Sequence, residues 1–179
     1  MTGELFQELK FCCKVQTRSF VNTGLKKSHS NKSRFFSDLI SLLHGQKKTA
    51  QRFTWLIGDL LETNRSLVID SLPMLFELRD QMPFPGMQRT VAKCLWYLQI
   101  PKGMEAEAIA QLFKWLSNDK VEIGVKHYAS KALYELALES RIDTKQLLRV
   151  LEKQTKYPNK SYATRTEKLR MKLQRELRS

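Results

Sequence analysis

Cysteine is scarce in this chain, and its count argues against a disulfide framework. The three cysteines, Cys12, Cys13 and Cys94, are odd in number and two are adjacent. A reducing, cytoplasmic protein is the expectation, with Cys94 buried on an apolar helix. Histidine is equally sparse: His29, His44 and His127 are scattered, and none pairs with a cysteine at zinc-ligand spacing. No metal or cofactor is therefore expected. Long apolar runs are missing too, since none reaches the ~18–20 residues that cross a bilayer. Met1-Thr2-Gly3-Glu4 lacks a basic segment leading into an apolar core, so no secretory signal is expected. Gly3 is not in second position, which removes a myristoylation signal. The seven glycines assemble no phosphate loop and no nucleophile elbow, and no His/Glu helix motif binds zinc. No segment sustains apolar–polar alternation, so essentially no sheet is predicted.

Charge of one sign is abundant: the formal net charge is +13. Its distribution is uneven. Residues 1–50 carry nine Lys+Arg against three Asp+Glu; residues 51–139 carry ten against eleven; residues 140–179 carry twelve against four. A near-neutral body is flanked by two basic ends. Two readings stay open. The ends meet an acidic partner, which could be nucleic acid, an anionic membrane surface or an acidic protein. Alternatively, charge solvates the outer faces of terminal repeats.

The body repeats. An apolar-striped helix, Leu72-Pro73-Met74-Leu75-Phe76-Glu77-Leu78-Arg79-Asp80, ends near an aspartate, as does Ile109-Ala110-Gln111-Leu112-Phe113-Lys114-Trp115-Leu116-Ser117-Asn118-Asp119. Each precedes a second helix that opens on a cation, Arg89 or Lys126. Arg52, Arg89 and Lys126 follow one another at 37-residue intervals. A two-helix period of this length reads as an α-solenoid.

Around that body the spacing predicts helices over 4–15 and 33–44, separated by a polar loop over 22–33. It continues with helices over 47–63, 64–81, 88–99, 105–116, 121–139, 143–156 and 162–178. Pro73 lies inside the second of these and should bend it. Met82-Pro83-Phe84-Pro85-Gly86 reads as a rigid connector, and Tyr157-Pro158-Asn159 as a break. At 179 residues the chain can bury roughly two-thirds of its surface and stand as one domain. Within it, 1–32 is an N-terminal helix with a basic loop, 33–156 holds the repeats, and 157–179 is a basic helix completing the last one.

These residues resemble HEAT-like repeats. The match is best over 64–139, with Leu72-Pro73-x-Leu75-x-x-Leu78-x-Asp80 in a first helix and Val125-Lys126-x-x-Ala129-x-x-Ala132-Leu133-x-x-Leu136 in a second. Residues 33–63 and 143–178 look like degenerate end repeats. The resemblance implies an all-α, right-handed α-α superhelix of about four helix pairs plus an N-terminal helix, its second helices lining a concave face. It is nearly silent on function.

Cations at the repeating position have two readings. In HEAT-like repeats an aspartate between helices and an early second-helix cation commonly form a ladder, a role that suits Asp80, Asp119, Arg89 and Lys126. The other reading sets Arg52, Arg89 and Lys126 along one groove, where they follow a phosphate backbone. Aromatics divide similarly. Trp55, Trp96, Tyr97, Tyr128, Tyr134 and Trp115 are mostly core by their helical spacing, while some could stack on bases.

Trp55 and Asp59 lie one turn apart, and Arg89 opens the corresponding helix of the next repeat. This is similar to the alkylpurine DNA glycosylases built from HEAT-like repeats. That resemblance implies catalytic roles for Trp55, Asp59 and Arg89: an aromatic holds the damaged nucleotide and a carboxylate stabilises the developing positive charge. The chain departs from that family in being shorter by a repeat or more and in lacking its wider tryptophan pattern.

In the last helix Leu169, Leu173 and Leu177 form a narrow apolar stripe flanked by Lys168, Arg170, Lys172, Arg175 and Arg178. It either caps the repeats or meets a partner. The expectation taken forward is a non-enzymatic binding module that offers a concave surface to a protein or nucleic acid. Arg52, Arg89, Lys126, Trp96, Tyr128, Lys168, Lys172 and Arg175 are its candidate binding residues.

Overall fold

A computed structural model describes the backbone of residues 47–63, 65–81, 84–98 and 100–177. The helices expected over 4–15 and 33–44 and the loop over 22–33 lie outside the described residues. So do the side chains of Arg52 and Asp80. Among the described residues there are seven α-helices and no strand. They are α1 (Lys47–Thr63), α2 (Arg65–Gln81), α3 (Pro85–Tyr97), α4 (Glu105–Ser117), α5 (Ile123–Leu138), α6 (Thr144–Gln154) and α7 (Lys160–Glu176). No described helix is long and apolar enough to cross a membrane.

The chain divides into two compact units, Met1–Cys94 and Leu95–Ser179. In the first, α1 buries Phe53, Leu56, Ile57, Leu60 and Leu61, and α2 packs against it with Val68, Leu72, Leu75, Phe76 and Leu78. Those spacings are the stripe of a 3.6-residue period. Pro73 sits inside α2 on its exposed side, where the lost N–H of the helix ladder faces solvent. The connector expected over 82–86 is shorter than that, because Pro85 starts α3. Its fixed φ suits a first helical position, where no N–H bond is needed. A methyl placed on Gly86 would come within 3.1 Å of the Phe84 ring. One placed on Gly58 would meet the Lys93 ammonium at 4.0 Å and one on Gly86 the Thr54 hydroxyl at 4.0 Å, so α1 and α3 approach at these two points and run in the same direction.

The second unit is two helix pairs, α4 with α5 and α6 with α7; α5 also packs on α7 and α4 touches α6. Glu105 and Glu107 open α4 at its positive end. Asp143 accepts the Lys145 N–H at 2.9 Å to cap α6, and Asn159 accepts the Tyr162 N–H at 3.0 Å to cap α7. That cap explains why α7 starts two residues before Tyr162. Most of α5 is buried because neighbours cover several sides of it, and Ala129, Ala132 and Ala137 let them approach. Its end is closed by Ser140 at φ 56°, with the Arg141 N–H donating to Leu136 O at 2.9 Å and the Ser140 N–H to Ala137 O at 3.1 Å. Arg141 is thereby aimed back at Glu105, 3.0 Å away, and Glu139, 2.8 Å away, tying the end of α5 to the start of α4.

A buried lysine knots three helices together. The Lys126 ammonium donates to Gln154 Oε1 at 2.9 Å, to Leu116 O at 3.4 Å and to Asp119 Oδ1 at 3.5 Å. The Tyr157 ring lies under it, 4.6 Å to the centroid. Burial pushes its pKa below the ordinary lysine value, against the opposing pull of Asp119. Of the two readings of this position, the geometry corresponds to the ladder. Lys126 is fully covered, so it cannot line a groove as the second reading required.

A candidate anion-binding groove between α5 and α7

α5 and α7 run in the same direction. Near their starts Arg165 acts on His127, and further along Lys172 lies over the Tyr134 ring at 5.0 Å. Between them is a groove of about 310 Å³. His127 and Lys131 line it from α5; Arg165, Lys168 and Lys172 line it from α7. The spacings 127/131 and 165/168/172 place each set along one helix face. Leu169 and the buried Tyr162, Ser130 and Thr166 form the floor. All three floor hydroxyls are already bonded within the fold: Ser130 donates to His127 O and Thr166 to Tyr162 O, each at 2.9 Å, and Tyr162 donates to Gln154 Oε1 at 3.3 Å. The floor is therefore apolar and the walls cationic.

Electrostatics agree with this layout. Burial, then Lys131 and Arg165, hold the His127 imidazole below its ordinary pKa, so it is neutral at pH 7. Tyr134 holds the Lys172 ammonium above its ordinary value, with Glu176 and Glu135 adding to that at the far end. Among the described residues Lys131, Arg165 and Lys168 form no ion pair with a carboxylate. The α6–α7 side differs. Its hollow, about 530 Å³, includes Glu152 and Glu167, and Arg170 is already bonded to Glu167 at 2.7 and 2.8 Å. Of these two hollows, the one between α5 and α7 is lined by cations without a carboxylate.

Beside the groove is a ring cluster. Trp96 lies 5.8 Å from Tyr128 with 32° between the planes, and Tyr97 meets Trp96 edge-on at 4.6 Å. The Lys131 ammonium sits 4.0 Å over the Trp96 ring, so one lysine belongs to both the groove and the cluster.

The structure thus brings together Lys168, Lys172, Trp96 and Tyr128 from the sequence-derived candidates. Arg175 is exposed one turn beyond Lys172 and does not line the groove. Trp55, Asp59 and Arg89 belong to the first unit: Trp55 is 47% exposed, Asp59 half-buried and Arg89 exposed. Sequence reading missed His127 as a groove residue, Lys131 and Arg165. A pairing of basic spacings on two helices would have flagged them only if α5 and α7 were known to be neighbours. Trp115 and Tyr134 are core, as their spacing suggests, whereas Trp96, Tyr97 and Tyr128 are half-buried. No protein-family model, no curated protein and no solved structure matches the chain.

Proposed function

We propose that the chain is a HEAT-like helical-repeat binding module, a right-handed superhelix of about four helix pairs, that holds a nucleic-acid backbone between α5 and α7. Support for the solenoid lies in the repeated local pattern. In the first unit α1 runs parallel to the part of α3 up to Cys94, and in the second α5 runs parallel to α7. Both pairs are second helices in the 37-residue repeat. The observation that carries the function is the cationic wall of Lys131, Arg165, Lys168 and Lys172, whose lining includes no carboxylate among the described residues. Phosphate groups bring the charge that such a wall neutralises, and released counterions drive the binding. Nothing in that groove is arranged as a nucleophile with a base, so binding rather than catalysis is its role. The buried, unpaired Cys94 thiol, raised to about 12 by burial, suits a reducing cytoplasm.

Fluorescence anisotropy of labelled oligonucleotides at low and physiological salt tests this. Affinity should fall steeply with salt, and the double variant Lys168→Gln/Lys172→Gln should flatten the log–log slope by about 1.5. A slope unchanged by the double variant would remove the groove from the function. The same preparation addresses the base-excision alternative on Trp55, Asp59 and Arg89, for which we expect no release of alkylated purine from damaged DNA.

A further inference from the structure

Resting on that reading, we infer that the groove is built for single-stranded nucleic acid, with bases stacked on Trp96 and Tyr128 while phosphates ride on Lys131 and α7. Three observations carry it. First, the rings are half-buried rather than core, unlike Trp115 and Tyr134 in the same unit. The exposed part of each ring leaves apolar face on which a base can stack. Second, their polar atoms are unused. Among the described residues neither the Trp96 indole N–H nor the Tyr128 hydroxyl makes a hydrogen bond. Third, the covering group over Trp96 is Lys131, a flexible ammonium stem and not a packed apolar side chain.

The exchange is chemically balanced in space. Lys131 can leave the Trp96 face for a phosphate in the groove it already lines, and a base can take the face it leaves. Both positions satisfy the ammonium, first by the ring quadrupole and then by an anion. The cluster then continues along α5: Tyr128 is tilted 32° to Trp96, and His127 meets Tyr128 at 5.3 Å before entering the groove. Rings on one side and cations on the other match the layout by which single strands are held without sequence preference. A duplex hides its base faces in its own stack, so it can use the cations but not the rings.

The full chain should be titrated with three fluorescein-labelled probes of equal length: an oligothymidylate, the same strand annealed to oligodeoxyadenylate, and a strand of abasic phosphodiester units. A uridylate strand adds the RNA arm. The inference expects the base-bearing single strands to bind at least tenfold more tightly than duplex or abasic strand. Trp96→Leu should collapse that ratio toward one, and Trp96→Phe, which keeps a ring, should restore much of it. Circular dichroism of each variant separates misfolding from lost stacking. If Trp96→Leu unfolds, quenching of tryptophan fluorescence by bases but not by the abasic strand decides the question in a Trp55→Phe chain, whose remaining tryptophans are Trp96 and the buried Trp115. Salt-sensitive binding that is equal for all probes, or a ratio that Trp96→Leu leaves intact, overturns the stacking inference and leaves the polyanion reading standing. No binding of any probe at low salt overturns both.

Discussion

Lys126 and Lys131 are both lysines of α5, yet they do opposite work. Lys126 is covered and spends its three donors on Gln154, Leu116 and Asp119. Lys126→Ala removes a buried cation and leaves the Leu116 carbonyl without that donor, so it should cost about 3 kcal/mol. Asp119→Asn should cost only about 0.5 kcal/mol, since the Asp119 side chain is 81% exposed and the bond is 3.5 Å long. Urea denaturation of the two variants checks the pair of values. Equal losses would mean that the aspartate, not Gln154, anchors the lysine. His127 reports on the groove in the same way. The groups facing it are Lys131 on its own helix, Arg165 from α7 and the Tyr128 ring. Lys131→Gln should raise its pKa, and a bound phosphate chain should raise it further; an NMR titration of the imidazole protons reads both. The sign follows from its depressed native value. His127 favours folding fully above its unfolded pKa, ~6.5. That contribution fades as pH falls through 6.5 toward the native value.

At the scale of the element, helix ends are where the sequence acts most directly. Asn159 and Asp143 accept backbone N–H groups that would otherwise be unpaired. Asn159→Ala should destabilise the protein by about 1 kcal/mol, read as a lowered thermal midpoint. Ser140 holds a left-handed conformation, φ 56°, that glycine adopts without the clash of a Cβ. Ser140→Gly should therefore stabilise by about 0.5–1 kcal/mol, and a loss would show that the serine side chain matters there. The helices themselves were legible from spacing: α1 and α4 agree with expectation to within a residue at either end. α7 was less so. Its apolar stripe was expected at Leu169, Leu173 and Leu177, but the buried positions are Tyr162, Thr166 and Leu173, and Leu177 is 54% exposed. A threonine is a poor signal of burial. It fits here because its hydroxyl bonds Tyr162 O at 2.9 Å and brings no unmet polar group inside.

For the molecule as a whole, charge was readable in amount and not in place. A +8 surplus over residues 140–179 pointed to α7. It could not say that Arg165, Lys168 and Lys172 face α5 while Arg170 turns to Glu167. The proposed salt-dependent affinity rests on that difference, because only unpaired cations release counterions when phosphate arrives. The sequence by itself determined that the described residues are helical and, to within about three residues, where each helix lies. Those are properties of spacing and of groups within a few residues of each other. The tertiary structure decided which cations are architecture and which are surface. Lys126 and Lys131 are five residues apart, about 140° around the helix, so one points among α4 and α6 and the other toward α7 and Trp96. A lysine carries the same side chain in both places. Only the helices packed around it make one a buried strut and the other a cation lining a groove beside Trp96.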